Sequence, residues 1–299
     1  MARAVELVQN TKPARMFRDY RHFNDNVLES AKLLKDSLSQ FITKSGENLS
    51  TNILLYQTKE IIVMSRRPMD TFRMLRHVRK YDDITFIHSL NVAILCNAFG
   101  QWLDMPQQEI DTLTLAGLLH DVGKMKIPED IIKKPGSLTE EEFTVIKQHP
   151  QRGYQILKRM SLDERVKNAA LMHHERCDGK GYPNGLSAGE IDDFAKIVSI
   201  ADVYDALTSA RVYRGSLCPF ESFRIMEEGG FERFHPKYFV TFLQGMSQSY
   251  VGSEVILSDD RKAVIKKGNP ENWSMPFVEI EGVTVNLADE KDLFVKEII

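Results

Sequence analysis

Histidine and aspartate side chains recur along the middle of this chain at positions that its fold must bring together. Five of the eight histidines fall between residues 88 and 202, together with two aspartates that suit the same chemistry. In chain order these residues are His88, His120, Asp121, His149, His173, His174 and Asp202. Imidazoles and carboxylates bind divalent metals, and these side chains suffice for two ions if the two oxygens of Asp121 bridge them. Because two adjacent cations can activate water and hold a phosphoryl group, the pattern indicates a phosphoester hydrolase.

The sequence around each residue decides how much it contributes to this prediction. Taken singly, His88 on its apolar helix is typical of a core histidine, and His120-Asp121 is typical of a capping pair at a helix end. Asp202 lies among aliphatic residues, where a buried carboxylate needs a cation or a strong hydrogen-bond partner. Together the residues favour metal binding. Nitrogen and oxygen ligands without cysteine suit iron or manganese, and less distinctively zinc or nickel, whereas magnesium and calcium prefer oxygen alone.

The hydrophobic pattern predicts a mainly α protein. Apolar residues from Val27 to Phe41 recur at spacings of three and four, which indicates an amphipathic helix. Helical patterns follow one another from about residue 70 to 250, and Thr139 with Glu142 has the spacing of a capping box. After residue 250, alternating residues around turns predict a small antiparallel sheet. We therefore expect an N-terminal helical region at 1–70, a catalytic helical bundle at 71–250 and a β-rich extension at 251–299.

Composition excludes several classes of protein. A formal net charge of −3 over 299 residues argues against binding a nucleic-acid polymer, which usually needs a basic surface. The three cysteines are widely spaced, so a disulfide framework is not expected and a reducing compartment fits. No apolar run is long enough for a membrane span, and the first residues lack the features of a secretory signal. We expect a cytoplasmic protein.

Basic residues beside the predicted metal ligands indicate a phosphate-containing substrate. Gly123 permits a tight turn after His120-Asp121, and Lys124 then places an ammonium group where a phosphate oxygen would lie. Arg211 and Arg214 are three residues apart, so they share a helix face and can bind phosphate oxygens. The alternative for the two arginines is an ordinary solvated patch.

The phrases that carry these residues resemble the HD-GYP phosphodiesterases, a bacterial branch of the HD metal-dependent phosphohydrolase superfamily. They are GLLHDVGKMKIP, KKPGSLTEEEF, HHERCDGKGYP and IADVYDALTS, within a similarity that covers residues 54 to about 250. The resemblance implies an HD-type helical bundle that hydrolyses cyclic di-GMP, a bacterial second messenger. The product implied is linear pGpG, and some members continue to GMP.

The resemblance also implies a role for each residue. The four HD ligands are His88, His120, Asp121 and Asp202, and the additional ligands of the second metal are His149, His173 and His174. Lys124, Arg211 and Arg214 match positions that contact substrate phosphate. Tyr182 lies in the loop that names the family, near the substrate and at a surface that meets diguanylate cyclases. Some relatives support a third metal with a glutamate where this chain has Ile84, so we expect two metals, iron or alternatively manganese.

The expected mechanism is attack on phosphorus by a hydroxide that bridges the two ions, with Asp121 and Lys124 as the catalytic residues. Two alternatives stay open. The chain could hydrolyse another cyclic dinucleotide such as cyclic GMP-AMP, because no residue visibly reads the base. It could also be a cyclic dinucleotide receptor or docking module with little turnover. The first 70 residues are interpreted as a regulatory or dimerisation region, with a structural extension as the alternative.

Overall fold

The computed structural model describes residues 12–43, 50–64, 84–209 and 217–299 of the chain. These residues are mainly helical with a small C-terminal sheet, which confirms the predicted fold class. The helices are α1 Lys12–Thr43, α2 Thr51–Met64, α3 Ile84–Trp102, α4 Gln107–Leu119, α5 Glu129–Ile132, α6 Glu140–Ile146, α7 His149–Leu157, α8 Glu164–Met172, α9 Asp193–Thr208, α10 Pro219–Arg233 and α11 Pro236–Ser249. The strands are β1 Glu254–Leu257, β2 Lys262–Lys267, β3 Phe277–Ile280, β4 Val283–Asn286 and β5 Val295–Ile298.

The chain divides into two compact units, Met1–Leu90 and Asn91–Ile299, and the division falls inside the unbroken helix α3. In the first unit α1 and α2 pack against each other. The periodic apolar residues of α1 are buried, as their spacing predicts. The boundary expected at residue 70 lies outside the described residues, so the proposed division into domains stays a prediction.

Helix packing in the second unit gathers several helix ends into one place. Helix α8 packs against α4, α7 and α9, and a short 3-10 helix, Val122–Lys126, packs against α7. From Ser89 to Phe99, α3 is buried on all sides, which its continuous apolar run predicts. Across this core the Asn97 amide donates a hydrogen bond of 3.0 Å to the Thr114 hydroxyl. Buried polar pairs of this kind fix how two helices align, because an unpaired partner would cost free energy.

The connection before α7 is stabilised by the predicted capping box. The Thr139 hydroxyl accepts a hydrogen bond of 3.2 Å from the backbone N–H of Glu142, and the Glu142 carboxylate accepts one of 2.7 Å from the Thr139 N–H. These bonds satisfy two N–H groups that the first turn of a helix otherwise leaves without partners.

The C-terminal sheet is antiparallel, with strand order β4-β3-β2-β1-β5. Val255 and Leu257 on β1 and Ala263 and Ile265 on β2 are buried, and the residues between them are less so, as the alternation predicts. The Glu227 carboxylate of α10 accepts hydrogen bonds from the backbone N–H groups of Trp273 and Ser274, which precede β3. Among the described helices none combines the length and apolar character that crossing a membrane requires.

Candidate metal centre

The ends of three helices present histidines to one point in the second unit. His120 follows the last residue of α4, His149 is the first residue of α7, and His173 follows the last residue of α8. Because those helices pack together, the three imidazoles meet although they are far apart in the sequence. All three are buried, with at most 1% of each exposed.

The backbone sets the orientation of each of these rings. Nδ1 of His120 lies 2.7 Å from the carbonyl oxygen of Gly117, and Nδ1 of His149 lies 2.7 Å from that of Ile146. Nδ1 of His173 lies 3.0 Å from the carbonyl oxygen of Ala169. A carbonyl oxygen can only accept, so each Nδ1 carries a proton, and in a neutral ring Nε2 then keeps a lone pair that can bind a metal. Histidines that bind metals are commonly held in this way.

Asp121 lies between these imidazoles with one oxygen directed to each side. Its Oδ2 is 3.4 Å from Nε2 of His120 and 2.5 Å from Nζ of Lys124. Its Oδ1 is 3.3 Å from Nε2 of His149 and 3.8 Å from Nε2 of His173. A carboxylate placed like this can bind one cation through each oxygen.

The protonation states of the centre suit cation binding. Burial, which outweighs the opposing effect of Asp121, lowers the pKa of His149 to about 4. Burial also lowers the pKa of His174 to about 3 and that of His173 well below its usual value. Burial alone would raise the pKa of Asp121, but Lys124 and His120 hold this pKa well below the usual range. At neutral pH the centre therefore offers neutral imidazoles and an ionised carboxylate.

Nε2 of His149 lies 3.2 Å from Nε2 of His173. Because the Nδ1 atoms of both rings donate to carbonyls, two lone pairs face each other across this distance. Such an arrangement is repulsive unless a positively charged group lies between or beside the two nitrogens. The residues present therefore fit a bound divalent cation.

Two overlapping groups of side chains in the second unit have ligand atoms within 4.8 Å of one another. They are His149, His173 and His174; and His120, Asp121 and His173. Nδ1 of His174 also lies 4.0 Å from the Asp202 carboxylate. Within this unit the structure thus brings together six of the seven residues that were predicted to bind metal, whereas His88 belongs to the first unit and stays a prediction.

The loop after His174 covers one side of this centre. The Tyr182 ring stacks on the His174 ring, with centroids 4.7 Å apart and planes inclined by 26°. Its backbone N–H donates to the His174 carbonyl oxygen at 3.2 Å. Burial raises the pKa of the Tyr182 phenol, followed by the negative charges of Asp202 and Asp121, so the hydroxyl stays protonated and can donate a hydrogen bond.

Gly123 is required for a reason other than the tight turn that its sequence context predicts. A Cβ atom there would lie 1.9 Å from the carbonyl oxygen of His149 and 2.5 Å from the backbone nitrogen of Gly153. The glycine therefore lets the 3-10 helix approach α7 closely, which holds Asp121 beside His149. The predicted phosphate ligands Arg211 and Arg214 lie outside the described residues.

Two buried carboxylates that support the centre were missed by sequence reasoning. Glu175 is 3% exposed and accepts hydrogen bonds from the N–H groups of Asn184 (2.7 Å) and Leu186 (3.0 Å), so it closes the loop that carries Tyr182. Asp205 accepts a 2.9 Å hydrogen bond from the Asn91 amide and so links α9 to α3. The signal for Glu175 was its place directly after the histidine pair, ahead of a loop rich in turn residues.

The match to a family model agrees with this geometry. Residues 51–237 match the model described as HD domain, and the chain belongs to the HD-domain family. Its resemblance to the HD-GYP branch is confirmed by relatives that are named cyclic di-GMP phosphodiesterases. The chain is 36% identical over 242 residues to a protein named cyclic di-GMP phosphodiesterase PA4108 from Pseudomonas aeruginosa, covering 79% of this chain and 57% of the relative.

The name of a second relative specifies a different substrate. It is 3'3'-cGAMP-specific phosphodiesterase 1 from Vibrio cholerae, 40% identical over 167 residues that cover 56% of this chain and 39% of the relative. The chain thus spans about half the length of these two curated relatives. The structure of Bd1817, an HDG"Y"P protein from Bdellovibrio bacteriovorus, matches with a TM-score of 0.58 and 21% identity, covering 71% of this chain and 69% of that one. At this identity the likeness concerns the fold.

Proposed function

We propose that this chain is a metal-dependent phosphodiesterase that hydrolyses cyclic di-GMP to pGpG, with GMP as a further product. The observation that carries the proposal is the position of Asp121, whose two oxygens face two different sets of imidazoles in a buried, neutral-histidine environment. The name of the Pseudomonas relative supports cyclic di-GMP as the substrate. We propose in addition that this chain acts in a reducing, cytoplasmic environment.

Two divalent cations, iron or alternatively manganese, would be held by the overlapping groups around Asp121. From the family pattern, one would be bound by His88, His120, Asp121 and Asp202, and the other by Asp121, His149, His173 and His174. When bound, such ions activate water as a nucleophile and stabilise negative charge on a phosphoryl group.

Residues of the chain itself would position the substrate. Lys124 pairs with Asp121 yet keeps 26% of its side chain exposed, so its ammonium group can reach a phosphate oxygen beside Asp121. Tyr182 offers a protonated hydroxyl and an aromatic face beside His174. Arg211 and Arg214 are proposed as further phosphate ligands from the family pattern alone. The loop around Tyr182 is also proposed as a contact for diguanylate cyclases, and residues 1–70 as a regulatory or homodimerisation region.

Cyclic GMP-AMP is a second candidate substrate, because the name of the Vibrio relative specifies it. A receptor with little turnover is the third possibility that an experiment must separate. All three share the same buried centre, so the products formed decide between them.

The test is anaerobic incubation of the protein, loaded with iron or manganese, with each cyclic dinucleotide, followed by chromatography of the products. Asp121→Asn is the matched control, since it keeps the shape of the side chain and removes the charge. Formation of pGpG or GMP by the intact protein alone would support the proposal. Tight binding of cyclic di-GMP without product under both metals would refute turnover and leave a receptor. Faster cleavage of cyclic GMP-AMP would change the substrate but keep the reaction.

A further inference from the structure

Arg233 is a half-buried cation near the candidate site and is absent from the motifs that the sequence analysis singled out. It is the last residue of α10, a helix that is kinked at Glu228 and Gly229. Gly229 has φ +86°, a conformation that a glycine adopts at little steric cost. After this kink the Arg233 carbonyl oxygen accepts a 2.9 Å hydrogen bond from the N–H of Cys177. The end of α10 is therefore tied to the start of the loop that carries Tyr182.

The charge of Arg233 acts on residues of the candidate site. Burial, followed by repulsion from Arg176, lowers the pKa of Arg233, while Asp202, Tyr182 and Asp178 oppose the shift. In turn, Arg233 opposes the rise in the pKa of the Tyr182 phenol. The backbone hydrogen bond from Cys177 agrees with these interactions, because it joins the end of α10 to the start of the loop that carries Tyr182.

The guanidinium of Arg233 is poorly compensated. Its Nε is buried and makes no hydrogen bond among the residues that the structure describes. Its Cζ lies 5.1 Å from the centroid of the Phe234 ring. Arg176, by contrast, is neutralised by Asp178 through hydrogen bonds of 3.0 and 2.6 Å. A half-buried charge that forms no ion pair with the described residues costs free energy, so an anionic ligand at this point would be favoured.

We propose that Arg233 binds the second phosphodiester of a cyclic dinucleotide, the one that is not being hydrolysed, an inference that rests on the function proposed above. The phosphate to be cleaved belongs beside Asp121 and Lys124, and the ring of the substrate carries another phosphate. The two Nη groups of an arginine form a pair of donors that can bind two phosphate oxygens. A guanine edge could accept the same bonds, but only an anion would also compensate the charge of Arg233.

Kinetics with two substrates test this assignment. Bis(p-nitrophenyl) phosphate has a single phosphodiester and cannot use a second phosphate site, whereas cyclic di-GMP can. We expect Arg233→Met to lower kcat/KM for cyclic di-GMP by roughly ten- to a hundred-fold, mainly through KM, and to leave bis(p-nitrophenyl) phosphate unchanged. Arg233→Lys should restore part of the loss.

The matched control is Arg224→Met on the same helix. Arg224 is 46% exposed at its side chain and pairs with Glu221 and Glu228, so its loss should leave both substrates unaffected. Unchanged metal content and thermal unfolding temperature show that each variant is folded. An equal loss on both substrates would overturn the proposal, as would an unchanged KM for cyclic di-GMP.

Cyclic di-AMP separates a phosphate contact from a base contact, because it has the same two phosphates and no guanine. A phosphate contact weakens both dinucleotides, so a loss confined to cyclic di-GMP would refute our assignment. If the wild-type protein hydrolyses neither substrate, the proposed function fails separately. Calorimetry of cyclic di-GMP binding to the wild type and to Arg233→Met then tests the phosphate contact. We expect weaker binding by the variant. Equal binding by both proteins, or no binding by either, would overturn the inference.

Discussion

Replacing Glu175 should reduce activity without removing a metal ligand. This buried carboxylate holds the loop of Tyr182 through two backbone N–H groups, at 2.7 and 3.0 Å. In Glu175→Gln one oxygen can still accept, but the amide NH2 group then faces a backbone donor. A hydrogen bond to a charged group contributes about 1.5–3 kcal/mol, so we expect the closed loop to lose about 2–3 kcal/mol. If Tyr182 must be in place for turnover, kcat/KM for cyclic di-GMP falls on the order of 10- to 100-fold.

The assay combines steady-state kinetics with hydrogen exchange of the loop from residue 176 to 190. Glu190→Gln is a matched control in the same loop, because Glu190 also accepts from a backbone N–H, at 2.9 Å from Ser187, but is exposed. We expect faster exchange and lower kcat/KM for the Glu175 variant only, at unchanged metal content. The reasoning is refuted if Glu175→Gln has the same hydrogen-exchange rates and the same kcat/KM as the wild type. A lower metal content in this variant would show that Glu175 acts on the centre itself.

Three further perturbations follow from the geometry. Gly123→Ala should destabilise the protein by about 3 kcal/mol or more in urea unfolding, because its Cβ would collide with backbone; unchanged stability would contradict the close approach. Thr139→Ala should lower the free energy of unfolding by about 0.5–2 kcal/mol without changing kcat. A change in kcat at saturating metal would contradict a purely capping role. His173→Ala should reduce manganese bound per chain, measured by elemental analysis, and full occupancy would remove His173 from the ligand set.

The metal-free protein should become less stable as the pH falls from 6.5 towards 4. The folded-state pKa of His149 is lowered to about 4, so the unfolded chain binds the proton first and acid favours unfolding. At a pH one unit below the ordinary histidine pKa, each such histidine lowers the free energy of unfolding by about 1.4 kcal/mol. Urea unfolding of chelated protein at pH 7.5 and 5.5 measures it, with His149→Asn expected to reduce the difference. Equal stability at both pH values would contradict the neutral state of the buried rings.

The candidate metal ligands were predicted from the sequence through their combination, because several of them taken singly are typical of structural residues. A carboxylate such as Asp202 inside an aliphatic run, or adjacent histidines at the end of a helical pattern, conflicts with burial unless a partner is present. The helical periods and the capping box of Thr139 are also local, and the structure confirms them. What local patterns do not contain is the tertiary approach of separate segments.

Three features of the site depend on that approach and escaped prediction. Gly123 suggests a turn by its type, but only the packing of α7 shows that a carbonyl occupies the space of a Cβ. Glu175 looks like a surface residue in a polar loop until the loop folds back over it. Arg233 is separated from Tyr182 by α9 and α10, so its proximity requires the complete bundle. Each of these residues supports or extends the site rather than forming its central ligand set.

The balance of charge supports the proposal that a cyclic dinucleotide is the substrate. Asp121 and Asp202 contribute two negative charges, and the imidazoles of His149, His173 and His174 are neutral because their pKa values are lowered. With two divalent cations the centre would therefore carry a net charge of about +2 before Lys124 and Arg233 are counted. A cyclic dinucleotide carries two phosphodiester charges, so it compensates this excess better than a mononucleotide diester of single charge. Removing Arg233 should consequently weaken the preference for doubly charged substrates while leaving the chemistry at Asp121 intact.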